Sequence, residues 1–188
     1  MPAAPTFTVL CVCTGNICRS TAAERLLARA LGPSVAVVSA GTAALVGEPI
    51  SPPMDEFVAA AGADPAGFSA RPLTAPLLRG VDLVLGLTRE HRALAVDLAP
   101  AVVRRTFTLR EYARLLTALA PDQLPTGAPA EVARASVRAA AAARRRSTAA
   151  EDDIADPYRR GAGAYRRAFV EIEQAVNQVT ARLVTASA

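Results

Sequence analysis

The sequence predicts an α/β fold: a single-domain three-layer sandwich with a mainly parallel four-stranded sheet and helices on both faces. Two observations predict it. Short apolar runs alternate with helical stretches along most of the chain, which is the pattern of strand–helix–strand units in a parallel sheet. The 188 residues suit one domain with enough length for a real core. Parallel strands need crossovers, and right-handed crossovers put helices on both faces.

The elements follow in order. Residues 7–12 form an apolar run that reads as a buried strand, and 22–31 read as a helix stopped by Gly32-Pro33. Residues 35–39 are a second strand, followed by a Gly/Pro-rich loop to Pro53 and a helix over 54–61 that closes at Gly62. Residues 69–73 are a short extended piece, and Thr74 caps a brief helix over 75–79. Residues 81–87 are a third strand. The helix opened by Thr88-Arg89-Glu90-His91 runs to Leu98 before Pro100, with His91 as a solvated position. Residues 102–107 read as a weaker strand near an edge, and 109–119 as an amphipathic helix. The last helix, over 164–183, presents Phe169, Ile172, Val176 and Val179 as its buried stripe.

Residues 121–150 stand apart as an Ala/Arg-rich insertion. A Pro/Gly linker leads into 131–146, whose only large apolar residues are Val132 and Val137. The expectation is a solvated helix or mobile arm, with docking of an acidic partner as the alternative. Deleting about 121–148 and joining the flanks is then expected to leave a folded domain, because the segment has little to bury.

Composition excludes several function classes. All 21 basic residues are arginine, and the net charge is +4. Five of those arginines, at 134, 138, 144, 145 and 146, lie in 131–146 beside the single acid Glu131; without them, 16 arginines face 16 acids. The body is neutral, so no nucleic-acid partner is expected. The three cysteines, at 11, 13 and 18, are odd in number and have no distant partners, which argues against a secreted disulfide framework. One histidine and no Cys-x-x-Cys argue against a metal site, and no cofactor is expected. Residues 1–5 do not resemble a signal peptide, and no apolar run reaches bilayer length. A cytoplasmic monomer with no membrane partner is the expectation.

The chemistry concentrates between the first strand and the first helix. Cys13-Thr14-Gly15-Asn16-Ile17-Cys18-Arg19-Ser20 places a thiol and an arginine, spaced Cys-x5-Arg, on a short loop. Free backbone N–H groups and a helix N-terminus converge on such a loop and attract anions. In open α/β sheets, ligands sit beyond the carboxyl ends of strands. An electropositive setting favours the thiolate, which is the nucleophilic form. Arg19 offers a planar fork to phosphate oxygens. Gly15 allows a tight turn and Asn16 tolerates left-handed geometry. Thr21-Ala22-Ala23-Glu24 fits a capping box for the helix. Cys11 reads as a core strand residue.

The loop resembles the signature of low-molecular-weight protein tyrosine phosphatases. Asp156-Pro157-Tyr158, followed by a terminal helix, resembles that family's second landmark, and Ala40-Gly41-Thr42 and Ala70-Arg71-Pro72-Leu73-Thr74 are similar to its intervening segments. The resemblance covers about residues 7–119 and 151–183. It implies a phosphatase in which Cys13 attacks phosphorus and forms a cysteinyl phosphate. Residues 14–20 bind the phosphate, with Arg19 and the loop amides on its oxygens. Asp156 protonates the leaving oxygen and then activates water; Ser20 bonds the sulfur and Asn16 preserves the loop. No metal or cofactor takes part. The partner is then a phosphotyrosine protein or a small phosphomonoester.

The pocket departs from the family pattern. Tyr158 keeps one aromatic wall, but Arg159 follows it and Leu45 lies where the family usually carries a ring. Cys18 has two readings: a protective disulfide with Cys13, as in some family members, or simple packing. Arsenate reduction with an external low-molecular-weight thiol is the rival activity, since relatives that relay a disulfide use later cysteines and none follows Cys18 here. A non-catalytic phosphate-binding module is the third reading.

Overall fold

The computed structural model describes residues 7–144 and 151–184. The readings made above on residues 1–5, Arg145 and Arg146 lie outside them. Four parallel strands form one sheet in the order β2-β1-β3-β4. They are β1 (Phe7–Cys13), β2 (Val35–Gly41), β3 (Leu83–Gly86) and β4 (Thr106–Thr108). The helices are α1 (Arg19–Leu31), α2 (Met54–Ala60), α3 (Ala75–Arg79), α4 (Arg89–Leu98), α5 (Leu109–Thr117), α6 (Pro129–Arg144) and α7 (Ala162–Val184).

The period-two alternation of a strand splits β1 between two cores. Phe7, Val9, Cys11 and Cys13 join a layer built with α1, α2, α5, α6 and α7. Leu10 and Val12 join a smaller layer with Leu78, Ala95 and Val102. β1 is therefore central and buried on both faces, and the loop that leaves its carboxyl end starts from a rigid base. Among the described residues no helix is long and apolar enough to cross a membrane.

Two expectations need correction here. The strand expected over 102–107 is mostly a 3₁₀ turn, Pro100–Arg105, and only Thr106–Thr108 pair with β3. Pro100 presets the turn, and Thr106 Oγ1 donates to Val102 O at 2.8 Å to close it. The edge position itself is as expected.

The second correction concerns 131–146. It is neither a solvated helix nor an arm: in α6, Ala130, Val132, Ala133, Ser136 and Ala140 are buried. Small side chains let the helix approach closely, so alanine takes the place of bulky apolar residues. Tyr112 and Ser136 hydroxyls bond at 2.5 Å in the core. Arg144 donates from Nε to Glu111 Oε1 at 2.8 Å and from Nη2 to Thr106 O at 2.7 Å, and lies 4.0 Å over the Phe107 ring. It thus ties α6 to the edge strand β4. Deletion of this segment would uncover Tyr112 and Phe107 and is expected to abolish soluble folding. A milder test is Ser136→Ala, which leaves the buried Tyr112 hydroxyl without that partner and is expected to cost about 1–3 kcal/mol by urea unfolding.

Candidate active site

The loop after β1 is built around Asn16, which has φ 55° and no exposed surface. Asparagine tolerates this left-handed geometry better than most residues. Its Oδ1 accepts from Arg71 N at 2.9 Å, which fixes the amide's orientation. Its Nδ2 then donates to Ser39 Oγ at 2.7 Å and to Ser20 Oγ at 3.0 Å. Ser20 Oγ accepts that bond and lies 3.0 Å from Cys13 Sγ, where its own proton is available to an ionised sulfur. Asn16 N donates to the same sulfur at 3.3 Å. A backbone amide and a hydroxyl therefore converge on the sulfur.

Gly41, at the end of β2, closes the loop from the other side. A Cβ there would lie 2.4 Å from Thr14 O, so only glycine permits this approach. Thr42 N and Ala43 N then donate to Cys13 O and Thr14 O at 2.9 and 3.0 Å.

The expected capping box of α1 does not form. The cap position is Cys18, it makes no side-chain cap bond, and the first turn carries no acid. Thr21 Oγ1 instead donates to Cys18 O at 2.7 Å, and Glu24 Oε2 accepts from Ser39 Oγ at 2.5 Å. A side chain over those first amides would compete with an anion, and its absence leaves the helix terminus open to one.

Arg19 is nearly buried at the start of α1. Nη1 donates to Ile154 O at 2.9 Å, and Nη2 pairs with Asp156 Oδ2 at 2.8 Å. Nε is buried with no hydrogen-bond partner. A buried charged donor without an acceptor is costly, and an oxyanion in the loop would satisfy it.

The segment carrying Asp156 is docked at three points. Ile154 is fully buried, and its N donates to Leu87 O at 2.9 Å. Asp153 accepts from Arg89 N at 2.7 Å and pairs with the Arg89 guanidinium at 3.1 Å. Asp152 pairs with Arg114 at 2.9 Å. Hydrogen bonds from Arg89 hold the Asp153 carboxyl below its usual range despite the opposing cost of burial. Nothing in the local sequence predicts these contacts. The partners of Asp152 and Asp153 lie at least 38 residues away in the chain.

A cavity of about 140 Å³ brings together Cys13, Thr14, Gly15, Ile17, Cys18, Arg19, Leu45, Asp156 and Tyr158. Asn16 and Ser20 are not in its lining; their side chains hold the loop from beneath. Arg159 is also outside the lining, and its guanidinium lies 5.2 Å from the centre of the Tyr158 ring. A wider groove of about 460 Å³ runs beside Arg110, Arg114 and Glu151 but contains no thiol. Cys13 and Cys18 are both free. Burial pushes the Cys18 thiol up to about 11, so it is protonated at neutral pH. Its Sγ lies 3.8 Å from the Tyr165 hydroxyl.

The chain is similar to known proteins. A family model described as low molecular weight phosphotyrosine protein phosphatase matches residues 8–119. The chain belongs to that family. The protein-tyrosine-phosphatase Etp of Escherichia coli K12 is 30% identical over 175 residues, covering 93% of each chain. Vibrio vulnificus Wzb, solved with benzylphosphonate, superposes with a TM-score of 0.71 at 25% identity, over 94% of this chain and 99% of that one. The YwlE arginine phosphatase of Geobacillus stearothermophilus also gives 0.71, at 26% identity over 95% and 94%. This phosphatase accordingly has the four-stranded parallel sheet of its relatives.

One residue of the phosphatase contradicts its sequence reading outright. His91 is 3% exposed rather than solvated. Burial first, then the nearby Arg19 charge, lowers its pKa from 6.5 to about 4. The folded chain therefore takes up this proton only near pH 4, whereas the unfolded chain does so near 6.5. Stability from this group is full above 6.5 and is lost as pH falls towards 4, by up to about 3 kcal/mol. Urea titrations of wild type and His91→Gln across this window are expected to show a shallower pH slope in the variant.

Proposed function

We propose that this phosphatase hydrolyses phosphotyrosine on proteins, or small aryl phosphomonoesters, through a phosphorylated Cys13. The observation that carries the reading is the convergence of a doubly hydrogen-bonded thiol, an arginine with an orphaned buried Nε and a carboxylate on one small cavity. The Cys13 thiolate attacks phosphorus in line, and the S–P bond forms as the bond to the leaving oxygen breaks. Arg19 and the open amides of the loop stabilise the equatorial oxygens. Asp156 gives its proton to the leaving oxygen, then takes one from the water that hydrolyses the phosphocysteine. Ser20 donates to the sulfur as it departs.

Ile17, Leu45 and Tyr158 support an aromatic leaving group, because they offer an apolar wall to a ring. Arg159 against Tyr158 disfavours a cationic leaving group such as the guanidine of phosphoarginine. The chain has no cysteine beyond Cys18 to relay a disulfide, which leaves arsenate reduction only the route through an external thiol. We also propose a cytoplasmic location, which the free thiols of Cys11, Cys13 and Cys18 support, and a monomer.

A substrate panel tests it. The expected order of kcat/KM is phosphotyrosine peptide well above phosphoserine and phosphoarginine, with no arsenate-dependent consumption of glutathione. Faster turnover of phosphoarginine, or robust arsenate reduction without phosphate release, would overturn the assignment.

A further inference from the structure

One titratable side chain beside the loop has no part in the phosphoryl-transfer steps. His91 lies in the first turn of α4, at the carboxyl end of β3. Its Nδ1 is 2.8 Å from Thr88 Oγ1 and its Nε2 is 3.0 Å from Thr14 Oγ1. Thr14 follows Cys13 directly and lines the cavity. The imidazole thus bridges the cap of one helix to the phosphate loop.

The geometry points to His91 as a positioning residue that acts through Thr14, orienting the Thr14 hydroxyl towards a bound phosphoryl group. This rests on the phosphatase reading of the cavity. A neutral imidazole has one donor nitrogen and one acceptor nitrogen, so its two hydroxyl partners take opposite roles. Thr88 Oγ1 already accepts from His91 N at 3.2 Å as the cap of α4, which leaves its own proton for Nδ1. Nε2 then carries the ring proton and donates to Thr14 Oγ1. With that lone pair engaged, the Thr14 proton is free for an acceptor in the cavity. The chain runs in one direction, from Thr88 through His91 to Thr14 and the phosphoryl oxygen.

A second observation shows that the approach is built. Gly86 ends β3, and a Cβ there would lie 2.9 Å from Arg92 N and 3.2 Å from the His91 Cβ. Glycine lets the first turn of α4 come close enough to carry the ring to Thr14. The Thr14 backbone is held independently, by Ala43 N on its carbonyl at 3.0 Å. The His91 bond therefore sets the side chain rather than the course of the chain.

The test is a double-mutant cycle on His91→Ala and Thr14→Val, with His91→Gln as the rescue. Two readouts are taken on the full chain: affinity for inorganic phosphate by calorimetry, and kcat and KM for p-nitrophenyl phosphate. Each single variant is expected to lose about tenfold in phosphate affinity and in kcat/KM, and the double variant no more than either single. Gln, whose amide can donate where Nε2 does, is expected to recover to within about threefold of wild type. A double variant that loses about a hundredfold would show independent effects and overturn the proposal. Unchanged phosphate affinity in Thr14→Val would also overturn it, and that variant serves even if His91→Ala fails to fold. Turnover by the wild type reports separately on the phosphatase reading.

Discussion

Cys13→Ser is expected to lower kcat for p-nitrophenyl phosphate by about 10⁴-fold or more while inorganic phosphate still binds. A serine hydroxyl is not ionised near neutral pH, and the groups that bond to the atom at this position, Ser20 Oγ and Asn16 N, are a hydroxyl and an amide that cannot deprotonate it. The loop, by contrast, owes little of its shape to the sulfur. Asn16 holds it through Ser39, Ser20 and the Arg71 amide, and Gly41 lets β2 close on Thr14. Arg19 keeps its place through Ile154 O. Binding and chemistry should therefore separate: calorimetry with phosphate gives an affinity close to that of wild type, and steady-state assays give near-background turnover. Activity within tenfold of wild type would move the nucleophile elsewhere, and Cys18, protonated by burial, is a poor substitute.

Asp156→Ala is expected to divide substrates by leaving group. Phenyl phosphate, whose phenolate needs a proton, should lose about 10²–10⁴-fold in kcat. p-Nitrophenyl phosphate, with a much better leaving group, should lose far less in the first step. Equal losses on both would remove Asp156 from the acid role. The ion pair adds a second consequence. Arg19 Nη2 is held by Asp156 at 2.8 Å, and the carboxylate stands beside the place a dianion would occupy. Removing it frees a guanidinium nitrogen and takes away one negative charge, so inorganic phosphate should bind more tightly to Asp156→Ala than to wild type.

Much of this was readable in the sequence. The strand at 7–12 was legible because a strand buried on both faces is largely apolar, and those at 35–39 and 81–87 because each is a short run rich in valine or leucine. The loop was legible because thiol, glycine, asparagine and arginine have separate physical jobs at fixed spacing. What escaped was set by distant partners. His91 occupies one helix position, and nothing local says that Thr14 lies 3.0 Å from its ring. The ion pairs of Asp152 and Asp153 are not legible locally, because Arg114 and Arg89 lie far back in the chain. The capping box failed because α1 begins at Arg19, which puts Thr21 and Glu24 inside the helix, where Glu24 accepts from Ser39 on β2. α6 was misjudged because burial was counted in large side chains, whereas Ala133, Ser136 and Ala140 are buried by letting the helix come close.

The central claim is that phosphate passes through Cys13. Asp156→Ala, which lacks the group that activates water for the second step, should accumulate that intermediate when mixed with p-nitrophenyl phosphate. Acid quenching followed by peptide mass spectrometry measures it directly. The account predicts one added phosphoryl group on the peptide that contains Cys13, absent from the same peptide after Cys13→Ser. Rapid release of p-nitrophenol with no phosphoryl group on that peptide, or with the group on another residue, would contradict it.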